Sequence, residues 1–345
     1  MNTFSLTFAA AISLATTVGA QTPGYSRYTV DAEHRAAPIP TSVWYPASSG
    51  SGPVQIGANI LFLGEDALQE ATPASGRHPL VVVSHGSGGT MDGLSWLGAG
   101  LSRAGAMVLM VNHAGSTSGD SIPAQSVFLD RRARDLTAVL DDLLADPAFG
   151  SHVDPDQITV LGFSMGGAAA LHIAGARIDR DRYRAYCDDY GPAAMDCLWL
   201  QSDGTQLSDL PDSMEDDLRD QRISRMIAVD PAFGHGFTPD SLALVSIPSL
   251  LMTLGDTSPG SGWEAVNIGP QGANMVGQLP GADFRLIDDS WHFSFLAECR
   301  MLGRLMVWWE DEDPICSNPW GSDRGAVHEE ILSEALAFIG IGPQS

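Results

Sequence analysis

A strand-turn-helix pattern around Ser164 constrains the fold of this chain more than any other feature. The apolar run 157–161 predicts a short buried strand, and the alanine-rich run 168–174 predicts the helix that follows it. Between them lies Gly162-Phe163-Ser164-Met165-Gly166-Gly167, a G-x-S-x-G sequence. A serine on so sharp a turn exposes its hydroxyl, and flanking glycines remove the Cβ atoms that would collide there. We therefore predict a nucleophilic serine directly after a buried strand.

Alternating strand and helix patterns predict an α/β architecture with a mostly parallel central sheet flanked by helices. Continuous apolar runs are typical of buried parallel strands. The predicted strands are 28–30, 41–46, 79–84, 106–111, 157–161, 223–230, 249–254 and 284–287, the first two forming an antiparallel edge. Such a sheet can occupy most of a 345-residue chain as a single domain, which we place at 21–345.

One long amphipathic helix is predicted at 129–145. Apolar residues recur there at steps of three and four, so one stripe of the helix is expected to be buried. Its polar residues Arg131, Arg132, Arg134 and Asp135 are expected on the solvated face or its rim.

Residues 177–222 interrupt the alternation with an acidic segment that is too long for an ordinary connection. The segment follows the predicted nucleophile helix, where a cap over an active site is often inserted. We predict a cap-like insertion that shapes access to the site. A mobile acidic surface excursion is the alternative.

The N-terminal residues 1–20 contain no charged side chain and end in the small residues Val18-Gly19-Ala20. This pattern is typical of a secretory signal peptide, although its first residues lack lysine and arginine. A disordered or membrane-anchoring N-terminus is the alternative. No later stretch is long and apolar enough to span a bilayer. We therefore expect an exported protein, periplasmic or secreted, without stable membrane insertion.

The four cysteines, Cys187, Cys197, Cys299 and Cys316, fit an oxidising compartment. Their even number permits two disulfides, and pairing within each close couple is the simplest of three connectivities. None has the C-x-x-C spacing of a zinc knuckle or a redox dithiol. Buried free thiols are the alternative.

The chain carries 42 acidic and 18 basic residues, which gives a formal net charge of −24. So negative a protein is a poor partner for nucleic acid or for an anionic membrane surface. Simple solubility in an external or salty medium also explains the charge, and we favour that interpretation. Acidity therefore identifies no substrate, and the residue pattern sets no oligomeric state.

A nucleophilic serine needs a base within hydrogen-bond reach, and that base needs an orienting acid. In folds with such an elbow, the acid and then the histidine follow the serine along the chain. Two histidines, His235 and His292, follow Ser164 at a strand end with room for an acid between, and His328 lies in a predicted C-terminal helix. His292 is favoured because it comes directly after the last predicted strand.

Two aspartates fit the role of the acid. Asp230 ends one predicted strand and Asp256 ends the next, so either carboxylate would emerge at the carboxyl edge of the sheet. Local physics does not separate them. The one that is not catalytic could cap the helix that follows it.

The tetrahedral intermediate of acyl transfer needs two backbone donors aimed at its oxyanion. The amide of Met165, directly after the serine, is placed to supply one of them. The loop His85-Gly86-Ser87-Gly88-Gly89 follows a predicted parallel strand and can supply the other through the amide of Ser87.

These motifs together resemble the α/β-hydrolase group of predicted dienelactone hydrolases, which is related to the plasma-type platelet-activating-factor acetylhydrolases. The resemblance spans most of the chain after residue 20. It rests on Val43-Trp44-Tyr45-Pro46, Ser84-His85-Gly86, Asn112-His113-Ala114-Gly115, Gly162-Phe163-Ser164-Met165-Gly166-Gly167, Ala228-Val229-Asp230-Pro231 and His292-Phe293-Ser294-Phe295-Leu296.

The resemblance implies an α/β-hydrolase fold with Ser164 as nucleophile, His292 as base, and the amides of Ser87 and Met165 as oxyanion donors. The acid of the acetylhydrolase relatives matches Asp230, whereas that of polyester-hydrolase and cutinase-like relatives matches Asp256. We favour Asp230. Serine stands where true dienelactone hydrolases carry cysteine, so a dienelactone is not the expected substrate.

We hypothesise an exported serine esterase that cleaves small-molecule carboxylic esters through an acyl-enzyme and requires no metal or organic cofactor. Trp291 and Phe293 are predicted to contact the substrate. Three alternatives stay open: an amidase or peptidase, a polyester or cutin hydrolase, and a non-catalytic binding protein on a hydrolase scaffold. The long acidic insertion argues against the open groove of a polymer hydrolase. The complete set of triad residues argues against a binding protein.

Overall fold

The computed structural model describes residues 22–255, 268–270, 272–310 and 315–342. The predicted signal peptide 1–20 and Asp256 lie outside these ranges. The strands are β1 Gly24–Val30, β2 Ile39–Tyr45, β3 Ala47–Ser49, β4 Val54–Ile56, β5 Glu65–Gln69, β6 Thr72–Pro73, β7 His78–Ser84, β8 Met107–Val111, β9 Val153–Phe163, β10 Arg225–Val229, β11 Ser249–Leu254 and β12 Asp283–Ile287. The helices are α1 Ser95–Arg103, α2 Pro123–Ser126, α3 Leu129–Ala145, α4 Met165–Ile173, α5 Arg180–Tyr190, α6 Met195–Gln201, α7 Pro239–Leu242, α8 Met301–Glu310 and α9 Arg324–Ile339.

Ten of these strands form one sheet in the order β12-β11-β10-β9-β7-β8-β2-β1-β5-β4. The six strands from β12 to β8 all run parallel, and β2 then pairs antiparallel with both β8 and β1. The predicted α/β class with a mostly parallel sheet and an antiparallel edge is confirmed. Because the parallel strands share one direction, β7, β9 and β10 all release their following loops at the same edge.

Helices cover both faces of the sheet, and the strands are apolar on both sides. Along β7, Leu80 and Val82 pack into one core while Val81 and Val83 pack into the other. The first core includes the apolar stripes of α3 and α4, and the second includes those of α1 and α9. Continuous apolar runs therefore mark the strands in this sequence because both faces are buried.

The prediction for α3 is confirmed in its bounds and wrong for two of its side chains. The helix covers Leu129–Ala145 as expected, yet Arg132 and Asp135 are buried rather than solvated. Polar groups from outside the helix surround them: Arg35 pairs with Asp135 at 2.6 Å, and Arg132 donates to the carbonyl oxygen of His85 at 2.7 Å. A periodic pattern shows which helix face is apolar, but it does not show which polar residues find buried partners.

The segment 177–222 contains α5, α6 and several short 3₁₀ turns. A disulfide joins Cys187 in α5 to Cys197 in α6. The hydroxyl of Ser213 donates to Asp130 in α3 at 2.7 Å, and the amide of Ala124 donates to Asp203 at 3.1 Å. The segment is thus tied to the α2–α3 side of the sheet.

The second disulfide joins Cys299 to Cys316 and packs against Leu61, Phe62 and Ile315. Both pairs correspond to the simplest of the three connectivities considered from sequence. In the part of the chain that the structure describes, no helix is long and apolar enough to cross a membrane.

Candidate active site

Ser164 lies on the tight turn between β9 and α4. Its backbone adopts φ 55° and ψ −119°, a left-handed conformation that costs free energy for a residue with a Cβ. Two hydrogen bonds hold the turn: the Ser164 amide donates to Val229 at 2.9 Å, and its carbonyl accepts from Ala232 at 3.0 Å. The side chain is half-buried. The serine expected directly after a buried strand thus lies on a sharp turn before a helix, and its backbone there is strained.

The glycines of the motif allow this turn to pack against its neighbours. A Cβ on Gly162 would lie 1.9 Å from the carbonyl oxygen of Gly166. A Cβ on Gly166 would lie 2.0 Å from the carbonyl oxygen of Ser84, at the end of β7. Both contacts are with backbone, which cannot move away cheaply. The G-x-S-x-G pattern is thus a steric requirement of a helix that begins so close to two strands.

His292 and Asp230 meet beside this turn. Nδ1 of His292 lies 3.1 Å from Oδ2 of Asp230, and the other carboxylate oxygen accepts from the amide of Leu254 at 3.0 Å. Asp230 follows β10 with a positive φ of 42°, and His292 begins a 3₁₀ turn after β12. Burial raises the pKa of Asp230, and the hydrogen bond and charge of His292 offset part of that rise. A carboxylate in this position accepts the Nδ1–H and leaves Nε2 as the basic nitrogen.

The serine and the histidine line the same cavity, which has a volume of about 400 Å³. Ser164, His292 and Phe163 line it together with the loop 85–89. The ring of Phe163 packs against the imidazole of His292, with centroids 4.7 Å apart. His292 is 8% exposed, so its ring is held in place while it keeps access to the cavity.

The loop 85–89 lies directly against Ser164. A Cβ on Gly86 would be 3.2 Å from the Cβ of Ser164. Neither the Ser87 amide nor the Met165 amide donates to an acceptor within the residues that the structure describes, whereas the next amide, Gly88, donates to the Ser116 carbonyl at 3.0 Å. Met165 begins α4, whose N-terminal amides and dipole favour negative charge. The two amides predicted as oxyanion donors are thus available near the serine.

The two aromatic residues predicted to contact substrate differ in position. Phe293 lines the cavity, but Trp291 is absent from its described lining. The indole N–H of Trp291 instead donates to the Ser317 carbonyl at 3.0 Å. The expectation for Trp291 therefore finds no support in the geometry. Sequence alone does not show whether an aromatic side chain next to a predicted catalytic histidine faces the cavity or a neighbouring loop.

The lining of the cavity also bears on the predicted cap. No described residue of 177–222 contributes to that lining, which comes instead from the segment 59–62, the loop 85–94 and residues around His292. The structure therefore does not support the expectation that 177–222 shapes access. Sequence reasoning overlooked the segment 59–62, which lies in a connection without a strong periodic signal.

A second Ser-His-Asp chain lies beneath the loop 85–89. The hydroxyl of Ser84 donates to Nε2 of His113 at 2.9 Å, and Nδ1 of His113 donates to Asp135 at 2.8 Å. All three side chains are fully buried. Burial, together with the charge of Arg132, lowers the pKa of His113 to about 4, so its ring is neutral at pH 7. Ser84 and His113 belong to motifs that carried the family resemblance, but sequence gave no sign that they meet.

Asp135 is the anionic centre of this buried cluster. Burial alone would raise its pKa, but hydrogen bonds from His113, His34 and Arg35 outweigh burial and hold the pKa well below its usual range. The carboxylate is therefore charged at neutral pH. Within the described residues, no group of three or more His, Cys, Asp and Glu side chains is arranged to hold a metal ion.

Comparison with known proteins agrees with this architecture. A family model described as alpha/beta hydrolase fold matches residues 79–226, from the second residue of β7 to the second residue of β10. A ferulic acid esterase from Streptomyces cinnamoneus superposes with a TM-score of 0.59 at 19% identity, covering 94% of this chain and 91% of that one. The chain has the α/β-hydrolase fold. At 19% identity this similarity shows a shared fold.

Curated relatives match over shorter stretches. Cutinase cut1 of Thermobifida fusca is 30% identical over 179 residues, which cover 50% of this chain and 52% of that protein. Lipase 1 of Moraxella sp. (strain TA144) is 35% identical over 86 residues, covering 25% of this chain and 24% of that protein. The chain thus spans about half the length of the first of these relatives, and less of the second.

Proposed function

We propose that the protein is a serine hydrolase that cleaves carboxylic esters through Ser164, His292 and Asp230. The observation that carries the proposal is the pairing of His292 with the fully buried Asp230, because His292 lines the same cavity as the strained Ser164. The curated relatives named cutinase and lipase support ester chemistry on a chain of this fold. Asp230 is the favoured acid because its carboxylate lies 3.1 Å from Nδ1 of His292.

In this proposal the Ser164 hydroxyl attacks the ester carbonyl while Nε2 of His292 takes its proton. Asp230 accepts the Nδ1–H and stabilises the imidazolium that forms. The amides of Ser87 and Met165 donate to the oxyanion. His292 then protonates the departing alcohol, leaving an acyl group on Ser164. A water molecule, deprotonated by His292, attacks that acyl group; the Ser164 oxygen then leaves with the proton held by His292, and the acid is released.

Hydrolysis of p-nitrophenyl esters from acetate to decanoate by the chain 21–345 tests the proposal. We expect turnover that is lost in Ser164→Ala, and a preferred acyl length that reflects the cavity. A fluorophosphonate probe adds an independent readout, because it should label wild type and Ser84→Ala but not Ser164→Ala. Turnover that persists in Ser164→Ala would remove Ser164 as nucleophile.

A second candidate is hydrolysis of polymeric or aggregated esters, and an apolar surface beside the cavity favours it. In α8, Met301 and Trp309 are each 82% exposed, and Leu302 and Leu305 are also exposed. The helix packs on the cavity wall: a Cβ on Gly303 would lie 2.4 Å from the carbonyl oxygen of Leu61, which lines the cavity. Large exposed apolar groups on one helix face are typical of an adsorption surface.

Polyester films and soluble esters separate the two candidates. If α8 adsorbs to a polymer, Leu305→Ser with Trp309→Ser should lower release of products from a film while kcat/KM for p-nitrophenyl acetate stays within twofold. Equal activity of variant and wild type on film would leave the soluble ester as the substrate.

We also propose export to a periplasmic or extracellular compartment. Two disulfides in a chain without free cysteines among its described residues support an oxidising environment. The narrower relationship to predicted dienelactone hydrolases and plasma-type acetylhydrolases remains part of this proposal. Secretion assays of the full chain and of a chain lacking residues 1–20 would test the predicted signal peptide.

A further inference from the structure

Arg132 is a buried cation that the proposed ester chemistry does not use. Its side chain lies beneath the loop 85–89 and is 2% exposed together with the rest of the residue. Burial lowers its pKa to about 9, so the guanidinium still carries its charge at neutral pH. Its Nε–H makes no hydrogen bond within the described residues. The desolvation of this charge and of its unpaired donor opposes folding.

The hydrogen bonds of Arg132 reach the His85 carbonyl of the loop 85–89 and the hydroxyls of Ser84 and Ser116, which flank that loop in sequence or contact it. One terminal nitrogen donates to the His85 carbonyl oxygen at 2.7 Å, at the start of the loop, with a longer contact of 3.4 Å to the Ser84 hydroxyl. The other donates to the Ser116 hydroxyl at 2.5 Å. Ser116 in turn accepts from the Gly88 amide through its carbonyl at 3.0 Å. Arg132 therefore holds both sides of Ser87.

A chain of hydroxyls connects the same guanidinium to Ser87 itself. Ser126 donates to the Ser116 hydroxyl at 2.9 Å, and the Ser87 hydroxyl lies 3.0 Å from that of Ser126. Because the Ser126 hydroxyl donates its hydrogen bond to Ser116, the Ser87 hydroxyl is the donor in the bond between Ser87 and Ser126. The side chain of Ser87 is thus fixed while its amide donates to no described acceptor.

We propose that Arg132 is a positioning residue that fixes the Ser87 amide for the oxyanion. This inference rests on the proposed function, because it assigns a task within the same reaction. Donors to an oxyanion act only when they are held in place before the charge develops. A loop that contains three glycines has many accessible backbone conformations. The hydrogen bonds of the buried guanidinium restrict the loop to one of them.

The kinetic test compares wild type with Arg132→Met, Arg132→Lys and Ser126→Ala. We expect kcat on a p-nitrophenyl ester to fall about 10- to 100-fold in Arg132→Met, with KM within about twofold, since the loss falls on the transition state. Arg132→Lys should recover part of kcat. Affinity for a trifluoromethyl ketone, whose adduct with serine carries an oxyanion, should fall in parallel. Ser126→Ala should change both in the same direction by a smaller factor.

Ser241→Ala is the matched control, since Ser241 is buried and hydrogen-bonded at 2.9 Å to Arg177 far along the chain from the loop. It should lower the melting temperature but leave kcat and inhibitor affinity within twofold. If Arg132→Met fails to fold, Ser126→Ala carries the test alone. Unchanged kcat and inhibitor affinity in the folded variants would overturn the proposal.

Hydrogen exchange of the peptide 85–91 in the free protein separates this proposal from the proposed function. Faster exchange in Arg132→Met and Ser126→Ala, and not in Ser241→Ala, is expected whether or not an ester is cleaved. If the wild type does not cleave esters but the variants exchange faster, the proposed ester hydrolysis is overturned and the role of Arg132 in fixing the loop is retained. Unaltered exchange would overturn that role of Arg132.

Discussion

Oδ2 of Asp230 lies 3.1 Å from Nδ1 of His292, while the same carboxylate accepts the Leu254 amide through its other oxygen. The aspartate is thereby held by two strands, since it follows β10 and binds the last residue of β11. A carboxylate fixed in this way can set both the tautomer and the orientation of the imidazole.

Replacing the Asp230 carboxylate should cause a severe loss of catalytic activity. Asp230→Asn should lower kcat for a p-nitrophenyl ester by about 10³- to 10⁴-fold, because an amide stabilises the wrong tautomer and no imidazolium. Stopped-flow or steady-state assays would measure the loss, with Asp256→Asn as the paired variant. Comparable mild losses in both variants would exclude Asp230 as the orienting acid.

The choice between these aspartates illustrates what the sequence could and could not predict. Both follow apolar strands, so a pattern of strands places each at the same sheet edge, and only the three-dimensional path of the residues after β12 decides which one His292 meets. Strands buried on both faces, such as β7, were predictable because their whole run is apolar. Strand β5 was missed because Glu65–Gln69 is short and polar and pairs at the sheet margin.

Lowering the pH should destabilise the folded protein already at pH values above those at which carboxylates titrate. Burial lowers the pKa of both His113 and His328 to about 4, whereas a histidine in the unfolded chain titrates near 6.5. Between these values the unfolded state binds more protons, so stability is lost as pH falls from about 6.5 to 4. Each ring can contribute on the order of 3 kcal/mol.

Urea unfolding between pH 7.5 and 4.5 measures this loss, and His328→Gln isolates one ring. Nε2 of His328 donates to the carbonyls of Ser294 and Leu296 at 3.0 and 3.1 Å, and glutamine can keep a donor there without titrating. The variant should show a shallower pH dependence. A pH dependence as steep as that of the wild type would contradict the prediction.

The two disulfides should differ in their effect on catalysis. Cys299–Cys316 packs under Leu61 and Phe62, which line the cavity, so Cys299→Ala with Cys316→Ala should lower stability by about 3 kcal/mol and raise KM. The matched pair, Cys187→Ala with Cys197→Ala, lies in a segment absent from the described cavity lining and should reduce stability with little change in KM. Calorimetry and ester kinetics on both double variants check this, and equal KM shifts would contradict it.

The second glycine of the elbow should not tolerate a methyl group. Gly166→Ala places a Cβ 2.0 Å from the Ser84 carbonyl oxygen, so α4 would have to move away from β7 and the serine with it. We expect a large loss of both melting temperature and kcat. Gly52→Ala, with no atom within 4 Å of its new Cβ, should match wild type in thermal melts and turnover.

The buried chain Ser84–His113–Asp135 has the same order of hydrogen bonds as a catalytic triad, at 2.9 and 2.8 Å, without any route for a reactant. Its serine ends an ordinary strand and has its neighbours on every side. A search for serine, histidine and aspartate side chains at such distances would therefore find this buried chain, which lies outside the proposed active site. Accessibility to the cavity and a strained backbone distinguish the proposed nucleophile Ser164 from the buried Ser84. The hydrogen bonds from serine to histidine to aspartate do not make that distinction.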